Sequence, residues 1–302
     1  MFDAVLERAV PTAHASRDDF EWDRPIIIIG TGQSGSTLLS AIIGEHPDVY
    51  AAGPNGSLLN RLWREFFANP EFSEKMRIRH LLRNSRREWR DLLWHEFAGG
   101  PLRQYLDGQG DATIDEIKRR EEIRIARSLG RFIAECLVPP EVRRRFWSFE
   151  EIWNGSSSPP CGWRRHDMAF PGARYVQIVR HPWAWAKSYF AGMNLTPSKE
   201  DLCSALSNWV SMVEAAYLNE KHSGRYILVK FEDLKANTAA TIRAVLSFLE
   251  LADNPRCHAA AAYEYMPDQV DLSLPALSDK DLDGISKLAS LMERIGYGLP
   301  AE

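Results

Sequence analysis

Four consecutive isoleucines, Ile26 to Ile29, lead into the small and polar run Gly30-Thr31-Gly32-Gln33-Ser34-Gly35-Ser36-Thr37, and then into a stretch carrying Leu38, Leu39, Ile42 and Ile43. An unbroken apolar run of this kind predicts a strand buried on both faces, and the three-to-four spacing after it predicts a helix. Gly44 ends that helix and Pro47 bars its continuation. Residues 48–59 predict a short strand and a loop, and residues 58–135 read as mostly helical. The run Gly155 to Pro160, with three serines and two prolines, is a loop. A second buried strand is predicted at Tyr175 to Val179, after a turn at Phe170 to Arg174. Pro182 suits the first turn of a helix over 183–190. Further helices are expected over 200–221, 238–251 and 279–295, the second with an apolar stripe of Ile242, Val245, Leu246, Phe248 and Leu249. Between the first two of these, Tyr226 to Phe231 reads as a third strand that ends at Glu232-Asp233-Leu234. Strands alternating with helices predict an α/β fold with a central, mostly parallel sheet flanked by helices. The expected organisation is a lead-in over residues 1–24, then one domain over 25–302 that carries a helical region at 60–160.

Composition narrows this picture without changing it. The 302 residues are 45% hydrophobic and 26% charged, as in ordinary globular domains, and the net charge of −4 gives no global attraction to nucleic acid or anionic membranes. A basic stretch at Lys75, Arg77, Arg79, Arg83, Arg86, Arg87 and Arg90, and another charged stretch from Lys118 to Arg131, read as solvated helix faces, the alternative being a lid or wall that faces an anionic cofactor or acceptor. Cys136, Cys161, Cys203 and Cys257 show no zinc or redox spacing, which favours free thiols and a cytoplasmic location. The first 24 residues are acidic and lack the apolar core of a secretory signal, and no run approaches the ~18 apolar residues of a membrane span.

The chemistry lies in the glycine-rich run. A strand, a tight glycine turn and a helix N-terminus together present unpaired N–H groups to an anion. The spacing Gly30-x4-Gly35 is that of a nucleotide-binding P-loop, but Ser36-Thr37 stands where Lys-Ser/Thr would follow. Without the lysine that reaches the β- and γ-phosphates, ATP or GTP hydrolysis is disfavoured. A second anion site is predicted where the strand to Val179 delivers Arg180, with Ser188 eight residues on along the next helix. An arginine fork and a hydroxyl suit a phosphate monoester at the C-terminal end of a sheet.

With these two segments together, the chain resembles the sulfotransferases that use 3′-phosphoadenosine 5′-phosphosulfate (PAPS), in their bacterial and Golgi-like branch. That family holds the 5′-phosphosulfate in a strand–loop–helix whose core here reads Gln33-Ser34-Gly35-Ser36-Thr37, and the 3′-phosphate on an Arg-x-Pro segment that here is Arg180-His181-Pro182 with Ser188. Phe231-Glu232-Asp233-Leu234, Phe248-Leu249-Glu250-Leu251, Gly296-Tyr297 and His46-Pro47-Asp48-Val49 match other family segments, so the likeness spans roughly 25 to 297. The resemblance implies a single domain of P-loop-NTPase-like sulfotransferase fold, with 60–160 on the acceptor side. It implies transfer of a sulfonate from PAPS to a hydroxyl or amine, leaving adenosine 3′,5′-bisphosphate (PAP). The cofactor contacts it implies are Gly32, Gln33, Ser34, Gly35, Ser36, Thr37, Arg180, Ser188 and Phe231, with no metal and no loss of activity on chelation.

The sequence departs from the family pattern twice. Gln33 stands where a lysine or arginine is usual, so it can donate hydrogen bonds but brings no charge. The glutamate base that many relatives carry after His-Pro-Asp-Val has no counterpart in Gly53-Pro54-Asn55-Gly56-Ser57. Gly162-Trp163-Arg164-Arg165-His166 resembles the Lys-Thr-His segment of the cytosolic branch, which makes Arg164 and His166, with Gln33, the expected catalytic contributors. His80, His95, Asp111 and Asp115 are lesser candidates. Ten tryptophans point to core packing and allow a flat acceptor such as a sugar or aromatic ring, while Trp183 and Trp185 are expected to pack beneath the cofactor site. The expected partner is a small-molecule or glycan acceptor. A homodimer stays open. The alternatives are a nucleotide-binding protein that has lost turnover, and a nucleotide kinase.

Overall fold

In the computed structural model, residues 20–54, 114–153, 162–217, 224–261, 272–285 and 287–298 are described. Five strands form one sheet in the order β2-β3-β1-β4-β5, and every neighbouring pair is parallel. They are β1 (Ile26–Thr31), β2 (Val49–Pro54), β3 (Phe146–Trp153), β4 (Arg174–Val179) and β5 (Tyr226–Lys230). The chain passes from β1 through α1 (Ser36–Gly44) to the edge strand β2. It then returns through α2 (Ile114–Leu137) to β3, which slots in between. From β3 it crosses to the other side of β1 by way of α3 (Gly162–Ala169) and β4. The order therefore reverses around β1, and the C-terminal ends of β1 and β4 are where a ligand crevice is expected in an open α/β sheet.

The isoleucine run explains why β1 lies at the centre. All six of its residues are buried, and alternate side chains point to opposite faces. Ile27 and Ile29 join a core with Leu129 and Ile133 of α2, Trp185 of α4 (Pro182–Gly192), Leu206 and Trp209 of α5 (Lys199–Tyr217) and Leu291. Ile26 and Ile28 join a second core with Leu39, Ile42 and Ile43 of α1 and with Ile242, Val245 and Leu246 of α7 (Thr238–Phe248). Each such side chain contributes about 2 kcal/mol of transfer free energy.

Three boundaries differ from the sequence reading. The strand over 226–231 stops at Lys230, and Phe231 opens the short helix α6 (Phe231–Ala236), so the phenyl ring turns in beneath the first loop. The helix read over 238–251 ends at Phe248, with Glu250 in the left-handed region. The helix read over 279–295 is two helices, α9 (Asp279–Gly284) and α10 (Leu288–Ile295), which follow α8 (Pro255–Ala261). Extended backbone at Ile285 and a left-handed Lys287 separate the pair and leave Ile285 buried.

The sequence reading also missed β3, which falls within the stretch read as helical. Its residues Phe146-Trp-Ser-Phe-Glu-Glu-Ile-Trp153 place two carboxylates in the middle of an apolar run. Both carboxylates are buried, Glu150 at 1% and Glu151 at 0% exposure, and this deprives the segment of the alternation by which a half-buried strand is read.

Candidate functional site

The loop between β1 and α1 is held by contacts on both sides. Ser34 N–H donates to the Thr31 carbonyl at 3.0 Å, and the Trp185 indole N–H donates to the Gly32 carbonyl at 2.6 Å. Gln33 and Gly35 both have positive φ, 67° and 95°. Gly35 is the residue ahead of α1, and no side chain caps that helix. Its first N–H groups are therefore left for an anion. Glycine is needed at 35 for space as well as backbone angle, since a Cβ there would lie 2.6 Å from the Phe231 ring.

Arg180 follows β4 and reaches across to this loop. Its Nη1 donates to the Gln33 carbonyl at 3.4 Å, and its guanidinium lies 4.7 Å over the Phe231 ring. Ser188 Oγ donates to Gln33 Oε1 at 3.4 Å. The structure thus brings together Gly32, Gln33, Gly35, Arg180, Ser188 and Phe231. Gln33 is the link between the glycine-rich loop and the arginine and serine 147 and 155 residues further on.

The turn that carries Arg180 is braced from behind. Glu232 accepts the His181 backbone N–H at 2.9 Å and the Tyr297 hydroxyl at 2.7 Å, and Trp209 donates its indole N–H to the Arg180 carbonyl at 3.2 Å. Burial pushes the Tyr297 phenol well above its ordinary range, and the bond to Glu232 pushes it further, so the hydroxyl stays a donor. Burial lowers the Arg180 pKa, against the opposing pull of Glu232 and Tyr297.

On the other side of the loop, Thr37 Oγ1 donates to Glu150 Oε2 at 3.2 Å. Glu150 stands opposite Ile28 in the register of β1 and β3, and its neighbour Glu151 faces the opposite side of the sheet. There Glu151 meets His166 of α3, with Nε2 at 3.7 Å from the carboxylate and the imidazole stacked on Phe149. His166 is 1% exposed, lying between Glu151 and Phe149. Arg164 lies in α3, but its side chain is outside those described, as is that of Asp115. Asn55, Gly56, Ser57, His80, His95 and Asp111 lie outside the described residues.

Comparison with known proteins decides what this constellation belongs to. The sequence profile of the sulfotransferase family matches residues 25–255. The chain belongs to the sulfotransferase family. No curated protein matches its sequence, so the remaining likenesses are structural. The sulfotransferase domain of the olefin synthase from Synechococcus PCC 7002 superposes with a TM-score of 0.52 at 18% identity, over 92% of this chain and 96% of that one. The sulfotransferase domain from the curacin biosynthetic pathway gives 0.51 at 16% identity, over 92% and 99%. The sulfotransferase STF9 from Mycobacterium avium gives 0.50 at 15%, over 96% and 81%. At these identities the likeness establishes the α/β sulfotransferase fold, and the family match establishes a sulfotransferase enzyme.

Three features of this sulfotransferase were not legible in its sequence as site residues. Glu150 lies 113 positions from Thr37, so no local spacing connects them. Glu232 and Tyr297 belong to segments that match the family, but their joint hold on the Arg180 turn is visible only once α6 and the C-terminal segment meet. Trp185, expected beneath the cofactor site, also donates directly to the loop.

Proposed function

We propose that this enzyme transfers a sulfonate from PAPS to a hydroxyl or amine of a small molecule or glycan, releasing PAP. The observation that carries this reading is the Arg180–Gln33–Ser188 bridge, which sets a cation and a hydroxyl beside an uncapped helix N-terminus at one crevice. Two buried polar atoms support the fit of a bisphosphorylated nucleotide. Among the described residues, Arg180 Nε and Ser34 Oγ have no hydrogen-bond partner, and each belongs to one of the two expected phosphate seats. When bound, PAPS supplies an activated sulfonate on a phosphate leaving group.

On this reading Arg180 and Ser188 anchor the 3′-phosphate, with the guanidinium already stacked on Phe231. The loop from Gly32 to Thr37 and the N–H groups of α1 hold the 5′-phosphosulfate and stabilise charge that spreads over its oxygens during an in-line attack. Gln33 offers the bridging oxygen a neutral amide donor. Arg164 and His166 remain the proposed further contributors. We place the enzyme in the cytoplasm, consistent with Cys203 and Cys257 being free thiols.

The experiment is release of PAP from PAPS over a panel of phenolic, alcoholic, amine and glycan acceptors. Turnover with at least one class is expected. Tight binding of PAP with no turnover on any class would favour a second reading, a nucleotide-binding protein that has lost catalysis, for which the neutral Gln33 is the motivating observation.

A further inference from the structure

The peptide group between Arg180 and His181 is held from both sides by side chains. Its carbonyl accepts the indole N–H of Trp209 on α5 at 3.2 Å, and its N–H donates to Glu232 Oε1 on α6 at 2.9 Å. This peptide lies past the sheet and ahead of the next helix. The register of β4 runs to Ile178 against β1 and to Val179 against β5, while α4 begins at Pro182. A backbone group at such a junction must find its partners elsewhere, and here both are side chains. Pinning the peptide fixes the backbone rotation at Arg180, and with it the direction in which the guanidinium is sent.

Both carboxylate oxygens of Glu232 are engaged. Oε1 accepts the His181 N–H and Oε2 accepts the Tyr297 hydroxyl at 2.7 Å. Two donors on two oxygens of one side chain specify a carboxylate, because glutamine has a single acceptor oxygen and its NH₂ would face a donor. Glu232 also follows Phe231, whose ring lies 4.7 Å from the guanidinium. The first two residues of α6 therefore hold Arg180 by its side chain and by its backbone.

Tyr297 ties the C-terminal segment to the same turn. Its hydroxyl lies 3.4 Å from the Val179 carbonyl, and its ring stands edge-on to the His181 imidazole with centroids 5.2 Å apart. His181 Nε2 donates to the Gly298 carbonyl at 3.1 Å, and Lys230 Nζ donates to the Gly296 carbonyl at 3.0 Å. Residues 296–298 are thus fastened to the residues on either side of Arg180 and to the end of β5.

We propose that Glu232 and Tyr297 are positioning residues for the donor's 3′-phosphate: they hold the Arg180–His181 peptide, and through it the guanidinium, in the orientation that receives the phosphate. The inference rests on the donor reading above. Neither side chain touches the nucleotide on this account, and each acts only through Arg180.

The test is a double-mutant cycle on PAP affinity, read by calorimetry with the full chain. Tyr297→Phe deletes one hydroxyl and keeps the ring; it should weaken PAP binding about fivefold. Glu232→Gln should weaken it about tenfold, since it loses the charge and one of two bonds. In the Arg180→Ala background each change should cost less than twofold, because residues that act through one group are not additive. A merely structural role would lower the thermal midpoint and leave the affinity loss the same in both backgrounds. Tyr297→Phe carries the test if the Glu232 variant does not fold. Unchanged PAP affinity in the single variants, or equal losses with and without Arg180, overturns the positioning role and leaves the donor reading standing. No PAP binding by the wild type overturns both.

Discussion

The two ends of the loop are built in opposite ways. At the Gln33 end, side chains from four elements converge: Arg180 after β4, Ser188 on α4, Phe231 at the start of α6, and the loop itself. That end carries a positive charge and is braced from behind by Glu232, Tyr297 and Trp209. At the Thr37 end there is one side-chain bond, to a buried carboxylate, and no cation among the described residues. The contrast teaches that grip and catalysis need not be located together. The first end is suited to fix a nucleotide whether or not it reacts. On the proposed donor reading the second is where charge develops during transfer, and its described residues offer helix N–H groups and hydroxyls to that charge.

The largest expected effect comes from removing the cation of the first end. Arg180→Ala should weaken PAP binding about 100-fold, since a hydrogen bond to a charged group contributes ~1.5–3 kcal/mol and the guanidinium has several N–H donors to offer a phosphate. Calorimetry would read it, and an affinity within twofold of wild type would break the distinction between the ends. Next is Gly35→Ala, which combines a left-handed backbone with a Cβ 2.6 Å from Phe231. It should destabilise the fold by about 1–3 kcal/mol, visible as a lowered midpoint in denaturant, and should weaken PAP binding as well. Gln33→Lys would carry charge from the first end toward the second. A charged donor makes a bond roughly twice as strong as a neutral one, so turnover should rise by about tenfold. Unchanged turnover would mean that the missing charge is supplied elsewhere.

A smaller effect concerns acid stability, far from the loop. Asp281, bonded to Lys199 and to Ser278 at the start of α9, has its carboxyl lowered from an ordinary 3.8 to about 2. A depressed carboxyl adds stability that is fully present above pH 3.8 and lost as the pH falls through about 2. The group is exposed, so the effect should be slight. Asp281→Asn should flatten the stability profile in that window and lower stability slightly at neutral pH, where the carboxylate's contribution is fully present.

How much of this was readable beforehand follows the same contrast. The first end was legible because each part sits in a local pattern: four isoleucines before a glycine turn, an arginine closing a buried strand, a serine one helix on. Those patterns express backbone requirements, and such requirements are short-range. The second end was not legible. Glu150 lies in a strand whose paired carboxylates mimic a charged helix face, and in the fold Thr37 meets one of them and His166 lies beside the other. Helix ends were misread where a single left-handed residue intervenes, as at Lys287. His166, expected from sequence analogy to serve catalysis, is buried and stacked on Phe149 in this structure, a placement that no spacing in the sequence displays.

The most direct measurement is titration of the full chain with PAP, run beside ATP with magnesium and beside the Arg180→Ala variant. At 100 times its dissociation constant a ligand stabilises the fold by about 2.7 kcal/mol, so a thermal midpoint can be followed in the same samples. The account predicts saturable binding of PAP, little or none of ATP, and a loss of affinity in the variant. Absence of PAP binding at saturating concentration, or full affinity in Arg180→Ala, would contradict it.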